Sequence, residues 1–347
     1  MSALPFAPPL APMLARLARE LPPGDFAYEP KWDGFRCLVF AEAGAVDLRS
    51  RHGRPFARYF PELTEAIAAL PRPAVLDGEI VVPREGGLAF EPLLARLHPS
   101  PSRVARLARE TPAAIVLFDL LAEGAEDLRP RPLVERRARL EALLGGAPAA
   151  LRITPATGDA AIARGWLDRP IGCGIDGVVA KRRDLPYEAG RRGWVKVKRE
   201  QTADCVVAGF RTYAGEPALV ASLLLGLWDP AGALVHVGVS SSFADAERRA
   251  LFERLRPLAV PLAGHPWERG FNVGASPVGR LAGSAGRWDP AEMSLDWSAI
   301  VPAHVAEVAY DQLDGLRFRH PARFVRWRPD REPRSCALEQ LAPLNSR

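Results

Sequence analysis

Apolar and polar positions along the chain fall into two regimes that meet near residue 200. In the first regime, short strand-like runs are interleaved with helical spacings. Residues 24–50 read as paired strands, with 35–40 and 46–48 alternating about a turn at Ala43-Gly44. Residues 60–70 place apolar side chains at helical spacing. The run 75–82 reads as a strand interrupted at Asp77-Gly78, and 113–121 has the length and composition of a buried strand. A helix is predicted over 132–144, which opens on proline and stops at Gly145-Gly146. Residues 177–181 and 194–198 read as two more strands. In the second regime, 205–210, 219–228, 234–239, 305–310 and 323–327 are strand-like, and 243–255 is the single helical segment. The stretch 264–290, rich in Gly, Pro and Trp, carries no assignable pattern.

The 347 residues suit about two domains. We expect a mixed α and β domain over 1–200 and, over 203–347, a small barrel such as an OB-fold, because several strands with one inserted helix fit that plan. No apolar run reaches the roughly 20 residues of a membrane helix, and the proline-broken start lacks a signal-peptide layout. The four cysteines share no C-x-x-C spacing, which argues against a disulfide framework or zinc knuckle. Neither an internal repeat nor a low-complexity tract is present. A net charge of +5 is compatible with a polyanionic partner.

The cations themselves are more informative. Of 46 Lys plus Arg, only Lys31, Lys181, Lys196 and Lys198 are lysines. Arginine stays protonated in proteins, whereas a lysine amine can lose its proton and attack an electrophile. All four lie in short motifs. Lys31-Trp32-Asp33-Gly34-Phe35-Arg36 sets a lysine before an Asp-Gly turn. Leu76-Asp77-Gly78-Glu79 and Asp176-Gly177-Val178-Val179-Ala180-Lys181 repeat the pairing of acid and glycine. Phe118-Asp119 ends an apolar strand. In Trp194-Val195-Lys196-Val197-Lys198, alternation puts both lysines on one strand face, a face that wants an anion. Singly, each motif has an ordinary reading as a turn, a core aromatic or a solvated face.

Taken together and in order, the motifs resemble those of the covalent nucleotidyltransferases: K-x-D-G, an acidic residue, an aromatic, E-G-x-x-x-K, then K-x-K. Residues 323–331, Arg-Phe-Val-Arg-Trp-Arg-Pro-Asp-Arg, resemble the last motif of DNA ligases. With Ser50-Arg51-His52-Gly53, that favours ATP-dependent DNA ligases over capping enzymes, and the likeness is nearest to the small two-domain bacterial C-type ligases. Two positions depart from the family pattern: Asp176 stands where Glu is usual, and Arg331 where the last motif has lysine. Other readings are an RNA ligase or capping-type enzyme, a non-catalytic nucleic-acid binder, or a structural protein.

The resemblance implies an α+β adenylation domain of antiparallel sheets with flanking helices, followed by an OB-fold barrel. It implies that Lys31 takes AMP from ATP, with Asp33, Lys196 and Lys198 as further catalytic residues. It places Asp176 and Glu79 on a magnesium or manganese ion, Phe118 on the adenine, Glu29 at the base edge, and Arg36, Arg51 and Lys181 around the nucleotide. Arg326, Arg328 and Asp330 would meet the pyrophosphate, with a hinge near Gln201 and Thr202. The implied partner is nicked double-stranded DNA, handled by a cytoplasmic, nucleoid-associated bacterial monomer with no membrane association, in repair and with unidentified repair partners. DNA binding is expected to be weak and salt-sensitive.

Overall fold

The structure is a computed structural model and describes residues 3–42, 44–168, 174–198, 201–213, 215–270 and 297–341. The chain divides into two compact units, Met1–Arg199 and Glu200–Arg347. In chain order the first unit contains β1 (Ala15–Ala18), β2 (Phe26–Trp32), β3 (Phe35–Glu42), β4 (Ala45–Ser50), α1 (Pro61–Ala68), β5 (Ala74–Val81), α2 (Phe90–Ala95) and α3 (Pro101–Glu110). It continues with β6 (Ala114–Glu123), α4 (Leu133–Leu143), β7 (Leu151–Ile153), α5 (Ala160–Leu167), β8 (Ile175–Arg182) and β9 (Trp194–Lys198).

These strands make two sheets. One has the order β1-β9-β8-β2, the other β7-β6-β5-β3-β4, with Glu126–Asp127 added as a short strand on β6. Pairing is antiparallel except at β1 with β9 and β7 with β6, which are parallel. The larger sheet is buried on both faces. Val39, Leu48, Leu76, Ile115 and Leu117 pack with Leu63 and Ile67 of α1 and Leu140 of α4. On the opposite side, Leu38, Phe40 and Val75 share a core with Met13, Tyr187 and Trp194. The smaller sheet turns Tyr28, Val178 and Val195 towards Ala163 of α5. Double-sided burial explains why β5 and β6 read as nearly continuous apolar runs.

Two sequence expectations need correction. Residues 24–50 are not one paired set, because β2 and β3 belong to different sheets and only β3 and β4 form a hairpin. Asp33-Gly34 is the crossover between sheets. The Asp33 N–H donates to Gly174 O (3.0 Å), and a Cβ at Gly34 would lie 2.1 Å from Ile80 O. Nor is β5 interrupted at Asp77-Gly78. It runs through, with an irregular register against β6 at that point. Helices α2, α3 and α5 escaped the hydrophobic pattern. α3 buries only Val104 and is marked instead by its Ser100 cap and Pro101, as α5 is by its Asp159 cap.

The second unit contains β10 (Gln201–Tyr213), β11 (Glu216–Trp228), β12 (Leu234–Ser240), α6 (Asp245–Leu255), β13 (Ser298–Tyr310) and β14 (Arg323–Trp327). Its sheet has the order β12-β11-β10-β13-β14, antiparallel throughout. A parallel bridge between Ser240 and Ala322 joins the two edges. Five strands closed in this order, with the helix between the third and fourth, make an OB-fold. Most of the unassigned stretch, 271–290, lies outside the described residues. Among the described residues, no helix is long and apolar enough to cross a membrane.

Candidate active site

The crossover at Asp33-Gly34 leaves Lys31 at the end of β2, beside the mouth of a cavity of about 430 Å³. Glu29, Lys31, Arg36, Arg51, Glu79, Phe118, Lys181 and Lys196 all line it. They come from both sheets of the first unit, so residues 165 positions apart in sequence meet in one hollow.

The smaller sheet supplies the cations. The Lys31 ammonium donates to both oxygens of Asp176, at 2.6 and 2.7 Å, and Lys198 Nζ lies 3.5 Å from the same carboxylate. Asp176 sits at an irregularity in the pairing of β8 with β2. Gly177 makes that possible. Its φ is +154°, and a Cβ there would stand 2.2 Å from Val197 O. Lys196 lies on the same face of β9 as Lys198 and Trp194, as alternation predicts. Burial lowers the Lys196 pKa, and the neighbouring charges of Lys198, Lys31 and Arg51 lower it further.

The cavity floor is a buried charge pair. Glu29, 3% exposed, bonds through Oε2 to Lys181 Nζ at 2.7 Å. Lys181 also donates to Phe118 O (3.1 Å) and lies 4.5 and 4.4 Å from the ring centroids of Phe118 and Trp194. Burial raises the Glu29 pKa, with Lys181 and then Arg137 opposing the rise. Phe118 and Trp194 meet edge to face at 5.9 Å, which leaves an aromatic wall on the cavity.

The larger sheet supplies Arg36 and Glu79. Arg36 is fixed by a two-pronged contact with Asp77, at 3.0 and 2.7 Å, and Asp77 also accepts from the Tyr187 hydroxyl at 2.7 Å. Burial opposes the Arg36 charge, but Asp77 more than offsets it and holds the guanidinium above its ordinary value. Burial pushes the Glu79 carboxyl up to about 8, against the opposing pull of Lys31 and Arg36.

Asp33 lies on the crossover itself, its backbone tied to Gly174. Arg326, Arg328 and Asp330 form a cluster within the second unit. Arg328 bonds to Asp330 (2.9 Å) and Asp204 (2.9 Å), and Arg326 bonds to Glu307 (2.7 Å). Arg331, the departure from the family lysine, lies 3.5 Å from Asp204. Sequence reasoning gave no role to Trp194, Arg192 or His52, all on the cavity, nor to Tyr187 and Asp77 beneath it. Alternation from Lys196 to Trp194 was the one available signal. Among the described residues, no group of three or more His, Cys, Asp or Glu could by itself hold a metal ion.

The arrangement offers a lysine amine, a basic wall, a buried carboxylate and an aromatic face, all directed at one hollow. Residues 8–198 match the family model described as the ATP dependent DNA ligase domain, and 216–331 match the ATP dependent DNA ligase C terminal region. The chain is 48% identical to DNA ligase C2 of Mycolicibacterium smegmatis, covering 97% of this chain and 96% of that protein. It is 33% identical to the multifunctional non-homologous end joining protein LigD of Pseudomonas aeruginosa, over 91% of this chain but 36% of the larger protein. A solved Lig E DNA ligase shares the fold at 18% identity and a TM-score of 0.54, covering 92% of this chain and 99% of that one. The family matches span nearly the whole chain, and it belongs to the ATP-dependent DNA ligases.

Proposed function

We propose that this protein seals nicks in duplex DNA through a covalent AMP adduct on Lys31. The observation that carries the reading is Lys31 beside a cavity whose walls supply Arg36, Arg51 and Lys196 for phosphates and Phe118 with Glu29 for the base. In the first step the neutral Lys31 amine attacks the α-phosphorus of ATP, a P–N bond forms and pyrophosphate leaves. Next, an oxygen of the nick's 5′-phosphate attacks the same phosphorus and the lysine leaves. Last, the 3′-hydroxyl attacks the activated 5′-phosphate, and AMP leaves with the electron pair of the broken P–O bond.

Asp176 holds the Lys31 ammonium at rest, so release of that contact and loss of the proton precede attack. Lys196 and Lys198 then bear on the charge that grows at the α-phosphate. Asp176 and Glu79 carry the hard oxygen donors that magnesium or manganese takes, and the rest of such an ion's shell would be phosphate and water oxygens. When bound, the ion supplies neutralisation of phosphate charge. We assign Arg326, Arg328 and Asp330 to the pyrophosphate end of ATP, with Gln201 and Thr202 at the hinge. The likeness to the end-joining LigD protein favours repair, and we assign the enzyme to the cytoplasm as a monomer.

The test is incubation with magnesium and ATP labelled at the α-phosphate, followed by a denaturing gel. A labelled protein band that is absent in Lys31→Ala, and that transfers its label to nicked DNA, is the expected result. No band after stripping with pyrophosphate overturns the reading. A band formed only with GTP transfers the assignment to capping chemistry.

A further inference from the structure

We infer that Arg137, on α4 behind the nucleotide cavity, is a positioning residue that sets base selection by holding Glu29 ready to accept a hydrogen bond. The inference rests on Glu29 reading the base edge, as proposed above. Glu29 is shared by two hollows: the nucleotide cavity, and a second one of about 250 Å³ on its far side. Its Oε2 is taken by Lys181, and its Oε1 lies 4.0 Å from Arg137 Nη1.

The other arms of Arg137 are fully used. Nε donates to Glu141 (2.6 Å) and Nη2 donates to Thr154 O (2.7 Å). Nη1 is buried, has no hydrogen-bond partner among the described residues and faces Glu29, so the guanidinium divides its charge between Glu29 and Glu141. The same Thr154 fixes Trp32, next to Lys31, through Nε1 to Oγ1 at 2.9 Å. Arg137 therefore braces the strand that carries both Glu29 and Lys31.

An ionised carboxylate only accepts, whereas a protonated one also donates. The 6-amino group of adenine needs an acceptor, and a 6-carbonyl on the purine needs a donor. The charge state of Glu29 thus decides which purine edge fits. Burial works against the anion most, and three groups on three elements modulate it. Lys181 on β8 and Arg137 on α4 favour the anion, while Asp119 on β6, itself paired with Arg136, disfavours it. Glu141 and Arg183 complete the charged lining of the second hollow. Removing the Arg137 cation removes one of the two charges that oppose the effect of burial, and so disfavours the anion further.

The experiment compares lysine–AMP formation from ATP with lysine–IMP formation from inosine triphosphate, which replaces the 6-amino group by a carbonyl. It uses the full chain, the wild type, Arg137→Gln and Arg137→Lys, between pH 6 and 9. In Arg137→Gln the preference for ATP falls about tenfold at the low end of that range and returns as the pH rises, while Arg137→Lys keeps it throughout. An unchanged preference, a loss equal at every pH, or a loss shared by Arg137→Lys overturns the inference. Should Arg137→Gln not fold, Arg137→Lys still decides, because a charge-retaining variant that loses preference contradicts the role. A wild type that forms no adduct from either nucleotide would instead remove the Lys31 reading, a distinguishable failure.

Discussion

Replacing Asp77 by alanine removes the acceptor at the centre of a buried network. Asp77 has no exposed surface, binds Arg36 at two points and receives the Tyr187 hydroxyl, whose oxygen in turn accepts from the Met13 N–H at 2.8 Å. The side chain of Arg36 is only 15% exposed and lies against the Trp194 and Phe118 rings, at 5.0 and 5.5 Å from their centroids. Without the carboxylate, the largely buried Arg36 guanidinium loses its two-point partner and the Tyr187 hydroxyl loses its acceptor. Removing one partner of a buried ion pair costs about 3–5 kcal/mol, a large part of the roughly 5–15 kcal/mol that holds a domain folded. Asp77→Asn retains one acceptor oxygen but sets an amide donor against Arg36, so about 2 kcal/mol is expected there. Urea unfolding followed by tryptophan fluorescence measures both, and hydrogen exchange in β3 and β5 localises the loss. A double-mutant cycle with Tyr187→Phe should give a coupling of about 0.5–3 kcal/mol. Equal costs for the two Asp77 variants, or a cost below about 0.5 kcal/mol for alanine, would refute the network's role.

Four further outcomes follow from the same geometry. Gly177→Ala drives a methyl into Val197 O and should cost about 3 kcal/mol by thermal melting while displacing Asp176; a variant melting like the wild type contradicts the close approach. Without a bound metal ion, Glu79 keeps its proton to about pH 8 in the folded chain but loses it near 4.5 when unfolded. Its stabilisation is therefore complete below pH 4.5 and is lost as the pH rises towards 8. Melting of the wild type should fall more steeply across that window than melting of Glu79→Gln, and parallel slopes would disprove the assignment. Lys198→Ala should slow adduct formation on the order of 100-fold; normal lysine–AMP formation in that variant rules out its role. Affinity for nicked duplex should drop steeply between low and physiological salt, and a flat dependence in a filter-binding assay would exclude backbone-dominated contact.

The parts of this molecule that were legible beforehand are those where local chemistry and local geometry coincide. Alternation alone placed Lys196 and Lys198 on one face of β9, and the Pro132 start and Gly145 stop bracketed α4 within a residue or two. The barrel plan followed from strand spacing and one inserted helix. What stayed hidden depends on pairing between distant segments. Nothing local distinguishes a hairpin turn at Asp33-Gly34 from a crossover, because the deciding contact is Ile80 O on another strand. Asp77 looked like a strand-breaking acid because its partners Arg36 and Tyr187 lie 41 and 110 residues away. Arg137 likewise shows no motif, only a place on a helix that happens to back onto Glu29.

The scarcity of lysine gives this chain an unusual handle for chemistry. All four side-chain amines lie on three neighbouring strands of one sheet, and Lys181 is only 1% exposed. An acylating reagent directed at amines therefore reports on the cavity beside Lys31 and on the chain's α-amino group, with Lys31 and Lys198 reachable at 25% and 22% exposure. Occupancy of that cavity can be followed as protection from that reagent. The same fact warns against attaching the protein to resins or dyes through lysine, since the coupling would modify the side chains around that cavity. The described cysteines are buried, so a tag at a chain end is the conservative point of attachment.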